Sequence, residues 1–118
     1  MKKLVLTGAA GRLGTQLRAP LAALCAQLVS TDRAEALPDL LPNETYVKAD
    51  LRDLGAMVAL LEGADMVVHF GAIGDEAPWD DILGSNIVGA YNIWEAAHRN
   101  RLRRVVYASS IHAVGMHP

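Results

Sequence analysis

The chain has 118 residues, 13 acidic and 11 basic, for a net charge of −2, and 52% of its residues are apolar. That length holds one domain with a buried core and is too short for two. The near-balanced charge gives no reason to expect nucleic acid or an acidic membrane surface as a partner, and no apolar run approaches a membrane span.

One cysteine, Cys25, excludes a disulfide framework, and no set of Cys and His has metal-ligand spacing. Cys25 lies in "PLAALCAQL", which reads as helix, where a buried small hydrophobe is expected. The start, "MKKLVLTGAAGRLG", imitates a signal peptide, but its apolar run is only Leu4 to Leu6. These features fit a cytoplasmic protein.

The elements follow in chain order. Lys3 to Thr7 is a short apolar run ending at a glycine, which predicts a strand buried on both faces. "GRLGTQLRAPLAAL" has helical spacing, with Leu13, Leu17, Leu21 and Leu24 three or four apart and Pro20 placed to kink or divide it. "AQLVSTD" predicts a second strand, "RAEALPDLLPNE" a loop, and "TYVKAD" a third strand. Asp53 is placed to cap the helix "LGAMVALLEG", and Gly63 to stop it. "ADMVVHFGA" predicts a fourth strand, and "DEAPW" a turn. A long helix is expected from about Asp80 to Arg99, then a fifth strand in "RRVVYASS". The basic run Arg101 to Arg104 reads as a solvated turn leading into it. Alternating strands and helices predict an α/β fold, a Rossmann-type doubly wound parallel sheet occupying residues 1–118. In such sheets ligands bind beyond the carboxyl ends of the strands.

Chemistry concentrates at those ends. After the first strand, "TGAAGRLG" places Gly8, Gly11 and Gly14 three apart at the entry to a helix. Backbone can approach a pyrophosphate closely there, and the helix start offers free N–H groups. Glycine spacing alone is weak, since a tight turn also wants glycine; the strand before and the helix after strengthen it. The second strand ends at Asp32, where an acid would bind the ribose hydroxyls of an adenosine. Its carboxylate would repel a 2′-phosphate, favouring NAD over NADP, although Arg33 next to it would suit that phosphate. Asp50 either accepts from an adenine amino group or caps a turn. Gly71 and Ala72 would let a cofactor lie against the backbone. His69, inside the fourth strand, reads as a core histidine. On the long helix Ile82, Asn86, Gly89 or Ala90, Ile93 and Ala97 share a face, and Asn86 there either holds a neighbouring loop, the expected role, or helps to order the active site.

Together "TGAAGRLG", Asp32, "ADL", "HFGA", "NIVGAYNIWEAA" and "YASS" resemble the extended short-chain dehydrogenase/reductases (the NAD-dependent epimerase/dehydratase type) over nearly the whole chain. Within that family, "APWDDILGSNIVGAYNIWEAA" and "ASSIHAVGMHP" are similar to the uronate dehydrogenases. The resemblance implies about five strands in the order 3-2-1-4-5, NAD as cofactor, and oxidation of a hexuronic acid at C1 to an aldarolactone. It implies Ser110 as the catalytic serine, Ser109 beside the nicotinamide and His112 in contact with substrate. It also implies Gly8, Gly11, Arg12, Leu13 and Gly14 at the pyrophosphate, Asp32 at the ribose, Asp50 and Leu51 at the adenine, and Gly71, Ala72 and Ile73 along the cofactor. A small-molecule sugar acid is the expected partner. A homo-oligomer would pair through helices flanking the sheet, of which the one around Asp80 to Arg99 is present.

The chain departs from the uronate dehydrogenases at Ile111, where they tend to have asparagine, and at Gly74, where they have serine. A larger departure concerns the base. The family uses a tyrosine with a lysine four residues on, whose charge favours the phenolate. Here Tyr46, Tyr91 and Tyr107 are followed at that spacing by Asp50, Glu95 and Ile111. The resemblance places the missing pair beyond Pro118, so the chain is expected to be an amino-terminal portion, inactive alone. Alternatives are a sugar-nucleotide epimerase or dehydratase, a non-catalytic short chain that binds NAD, and a truncated reading frame without function.

Overall fold

A computed structural model of the chain describes residues 1–74 and 77–109. Its strands are β1 (Lys3–Thr7), β2 (Gln27–Asp32), β3 (Glu44–Lys48), β4 (Met66–His69) and β5 (Arg104–Tyr107). They form one parallel sheet in the order β3-β2-β1-β4-β5, the order expected from the resemblance. Thr7 lies level with Thr31 on one side and His69 on the other, and His69 lies level with Tyr107. Four side chains able to hydrogen-bond thus form a row across the sheet at its carboxyl edge.

The central strands are buried along most of their length because helices cover both faces. Leu4, Leu6, Leu28 and Val68 pack on the face that carries Ala22 of helix α1 (Arg12–Ala22). Val5, Val29 and Val67 pack on the other face with Met57 and Leu60 of α2 (Leu54–Leu60) and with Ile93 and Ala96 of the long helix. Asp53 caps α2 as expected, its carboxylate accepting from the Ala56 N–H at 3.1 Å, and Gly63 follows at φ +73°. No helix among the described residues is long and apolar enough to cross a membrane.

Helix α1 departs from its leucine pattern. Its buried residues are Gly14, Arg18 and Ala22, while Leu13 is 56% exposed. Two long-range contacts decide the face. Gly14 lies so close to the glycine loop that a Cβ would sit 1.9 Å from the Gly8 carbonyl oxygen. Arg18 turns inward to form a two-pronged ion pair with Glu44 at the start of β3, at 2.7 and 2.8 Å. Ser30 on β2 also donates to Glu44, at 2.5 Å, and Arg18 donates to the carbonyls of Pro38 and Asp39. Burial alone would raise the Glu44 carboxyl, but hydrogen bonds from Arg18, Ser30 and the Leu41 N–H together with the Arg18 charge outweigh it, so the group lies below its ordinary pKa. The helix runs unbroken through Pro20 and ends at Ala22. Cys25 therefore sits in the turn after it, half-buried, and not within a helix.

The long helix has three parts: α3 (Trp79–Ile82), a π-helical segment (Leu83–Val88) and α4 (Gly89–Arg99). The wider turn inserts extra residues into the helical count. Gly84, Ser85, Gly89, Asn92, Ile93, Ala96 and Ala97 face inward, so the expected stripe holds within α4 and slips before it. Asn86 is half-buried and bonds both sides of Ile73: its Oδ1 accepts from the Ile73 N–H at 2.7 Å, and its Nδ2 donates to the Ile73 carbonyl at 2.9 Å. It holds the loop after β4, as expected.

Candidate cofactor site

At the carboxyl edge of the sheet a hollow of about 120 Å³ opens between the ends of β1, β2 and β3, the loop after β4 and the π-helical segment; Thr7, Gly8, Thr31, Asp32, Arg33, Ala49, Asp50, Leu51, Gly71, Ala72, Ile73 and Ser85 line it. The sequence residues Gly8, Asp32, Asp50, Leu51, Gly71, Ala72 and Ile73 thus meet at one place.

The glycine loop forms the wall at the end of β1. Gly8 sits at φ +71°, and a Cβ there would lie 2.6 Å from the Phe70 carbonyl; glycine alone takes this conformation without strain. A Cβ at Gly11 would approach the Gly8 carbonyl oxygen to 3.2 Å. Among the described residues no side chain caps α1 at Gly11, and its first turn carries no acid. Arg12 and Leu13 begin that turn and are exposed. Backbone without side chains, beside a helix start with free N–H groups, fits a phosphate-bearing ligand.

Asp32 ends β2 facing this loop. Its Oδ2 accepts from the Ala10 N–H at 2.9 Å and its Oδ1 from the Arg33 N–H at 2.7 Å. Each oxygen keeps a lone pair for a hydroxyl donor. Tyr46 donates to the carbonyls after β2, with the Asp32 oxygen at 3.0 Å, and steadies this corner. Asp50 lies across the hollow under a guanidinium fork from Arg52, at 2.7 and 3.1 Å. That cation, through hydrogen bonds and charge, holds the Asp50 carboxyl down at about 2.

The floor carries a group that sequence reasoning missed. The Thr7 hydroxyl accepts from the Phe70 N–H at 3.1 Å and the Gly71 N–H at 3.0 Å. The Phe70 N–H is shared with the Thr7 carbonyl at 3.3 Å; with both N–H groups directed at the hydroxyl, its proton is best placed toward His69 Nδ1, 2.6 Å away. His69 is therefore neutral with its proton on Nε2. It is 3% exposed, and burial pushes its pKa down to about 4. Its ring stacks on Tyr107 at 5.7 Å, and its carbonyl accepts from the Ala108 N–H. The core reading of His69 holds, with a second part as the support for the end of β5. Gly71 completes this corner: a Cβ would meet Leu51 Cδ1 at 2.8 Å.

A second hollow adjoins the first, lined by His69, the loop Phe70 to Gly74, Asn86, Tyr107, Ala108 and Ser109. Ser109 opens into it. Ser110 and His112 lie outside the described residues. Thr7, Ser85 and Arg52 were not legible as site residues, because strand register, the π-helical turn and a chain crossing bring them here. The one available signal was the position of Thr7, immediately before the glycine loop.

Comparison with known proteins agrees with the fold. The model of the NAD dependent epimerase/dehydratase family matches residues 4–118. A uronate dehydrogenase of Pseudomonas syringae pv. tomato is 43% identical over 115 residues, covering 98% of this chain and 42% of the relative. One from Agrobacterium fabrum is 42% identical over 118 residues, covering 100% of this chain and 44% of the relative. Among solved structures, a mutant uronate dehydrogenase from Agrobacterium tumefaciens complexed with NAD superposes at a TM-score of 0.93 with 43% identity, covering 100% of this chain and 44% of that one. A glucuronic acid dehydrogenase from Chromohalobacter salexigens gives 0.90 with 39% identity, covering 99% of this chain and 44% of that one. The chain spans less than half the length of these relatives. With the family's model matched along nearly its whole length, the chain belongs to the NAD dependent epimerase/dehydratase family.

Proposed function

We propose that the chain is the dinucleotide-binding part of an NAD-dependent dehydrogenase that oxidises a hexuronic acid at C1 to an aldarolactone. The carrying observation is the hollow itself: a glycine cradle that a Cβ would fill, facing Asp32 and Asp50. Its support is a chain 38–43% identical to three uronate dehydrogenases.

In this reading the backbone of Gly8, Gly11, Arg12, Leu13 and Gly14 holds the pyrophosphate at the start of α1. Asp32 accepts from the ribose hydroxyls, and Asp50 with Leu51 holds the adenine. Gly71, Ala72 and Ile73 line the cofactor, and Ser109 lies beside the nicotinamide. NAD, when bound, supplies the acceptor for the hydride leaving C1. Ser110 hydrogen-bonds the reacting hydroxyl, and His112 contacts the sugar acid. The hydroxyl proton must go to a base, and no tyrosine of this sequence has a lysine four residues on. The 118 residues alone are therefore expected to bind NAD without useful turnover.

A second reading, a sugar-nucleotide epimerase or dehydratase, draws on Gly74 and Ile111, which lack polar groups to hold a free sugar acid.

Calorimetric titration tests the first step. NAD should bind, NADP should bind more weakly, and Asp32→Asn should narrow the gap between them. No binding of either dinucleotide would overturn the proposal. Reduction of NAD by the product of the native gene, supplied with galacturonate or glucuronate and separately with nucleotide sugars, distinguishes the two readings.

A further inference from the structure

We infer that Arg52 is a positioning residue for the base of the dinucleotide: it holds the Asp50 carboxylate in one orientation so that its remaining accepting capacity selects adenine, and Gly84 gives the Arg52 side chain its path. The inference rests on the proposed dinucleotide site and adds a specificity device to it.

The geometry leaves little freedom at Asp50. Its Oδ1 accepts from the Arg52 backbone N–H at 2.9 Å and from Nε at 3.1 Å. Its Oδ2 accepts from Nη2 at 2.7 Å and shares Nε at 3.1 Å. A carboxylate offers about four acceptor positions, and three N–H groups of Arg52 engage it, the Nε hydrogen being divided between the two oxygens at 3.1 Å each. About one position's worth of accepting capacity is left on the carboxylate, which lines the hollow with Leu51 and Asp32. An ionised carboxylate only accepts, and the fork keeps Asp50 ionised down to about 2. The remaining capacity therefore suits a base that presents an amino group at its edge. It rejects one that presents a carbonyl there, as hypoxanthine does, because two acceptors would face each other.

The route of Arg52 is fixed from the opposite side. Gly84 belongs to the π-helical segment and is buried. A Cβ there would lie 2.6 Å from Arg52 Cδ and 3.3 Å from Cγ. The stem of Arg52 crosses Gly84, and any larger residue must push it aside. Gly84 itself does not line the hollow and a Cβ there meets only Arg52, so the double variant separates an effect through Arg52 from one through the neighbouring Ser85, which does line it.

The experiment titrates the protein with NAD and with nicotinamide hypoxanthine dinucleotide, and reads the ratio of the two affinities. The unaltered protein should prefer NAD by about tenfold or more. Arg52→Gln should cut that preference to about twofold, and Arg52→Lys, which keeps charge without a fork, should fall between. Gly84→Ala should lower the ratio in the same direction. The double variant should be no worse than Arg52→Gln, because both changes break one device. Thermal midpoints should stay near that of the unaltered protein for both Arg52 variants, since the pair is exposed. An unchanged ratio in Arg52→Gln, or additive losses in the double variant, would overturn the inference while leaving the dinucleotide site standing. An unaltered protein that binds neither dinucleotide would remove the proposed function along with it.

Discussion

Thr7 shows how one hydroxyl can fix the chemistry of its neighbours. Because two N–H groups are directed at it, its proton is best placed toward His69, and it meets Nδ1 as a lone pair. Protonating that nitrogen would set two donors against each other inside the sheet. Burial depresses His69 from an ordinary 6.5 to about 4. The unfolded chain gains its imidazole proton as pH falls below 6.5, and the folded chain resists until about 4. Stability is therefore full above the ordinary value and drains away as pH falls through that window, by about 3 kcal/mol in all. Urea unfolding at pH 7 and near pH 4.5 should show this loss in the unaltered protein and a smaller one in His69→Gln; equal losses would refute it. Gly14 is equally constrained. A Cβ there would stand 1.9 Å from the Gly8 carbonyl oxygen, backbone that cannot swing away. Gly14→Ala should cost about 3 kcal/mol of stability and abolish dinucleotide binding, whereas Gly74→Ala, which meets nothing within 4 Å, should alter neither.

At the scale of elements, α1 is held by what it reaches and not by its leucines. Arg18 ties it to β3 and, through Glu44, to Ser30 of β2. The Glu44 side chain is fully buried, so removing the cation strands a charge. Arg18→Met should cost about 3–4 kcal/mol, and adding Glu44→Gln should recover part of that by neutralising the carboxyl. Denaturant midpoints of the single and double variants measure both, and a double variant less stable than Arg18→Met would contradict the account. The same pair marks the limit of legibility. The three central strands were readable because their middles are short runs buried on both faces, the strand order came with the family resemblance, and the glycine loop was readable because its spacing is local. The buried face of α1 was not, since Gly14 and Arg18 turn inward toward residues distant in sequence. The break in the long helix was not, since no residue type announces a π-helical turn. Asp32, Asp50 and Gly71 stood out because they end strands; Thr7, Ser85 and Arg52 enter the site through register and crossing, which one chain read linearly does not display.

The whole molecule presents one apolar surface that runs from the long helix onto the edge strand. Ile87, Tyr91 and Trp94 follow one another along the outer face of the long helix, with Tyr91 58% and Trp94 49% exposed. Trp94 lies against Tyr107 of β5, the centroids 6.3 Å apart, so this face continues onto the edge strand. Among the described residues β5 pairs with β4 on one side and leaves its other edge open. Large aromatics beside an unpaired strand form an adhesive patch that a lone soluble domain seldom leaves bare. The 118 residues on their own should therefore self-associate, with sedimentation showing species heavier than 12.6 kDa as concentration rises. Tyr91→Glu together with Trp94→Glu should shift the distribution toward the single chain. Neither residue lines the hollow between Gly8 and Asp50, so the double variant should keep its affinity for NAD. A chain that stays monomeric at high concentration would show that this face needs no cover. A variant that loses NAD together with self-association would instead tie the outer face of the helix to the site it supports through Ser85 and Asn86.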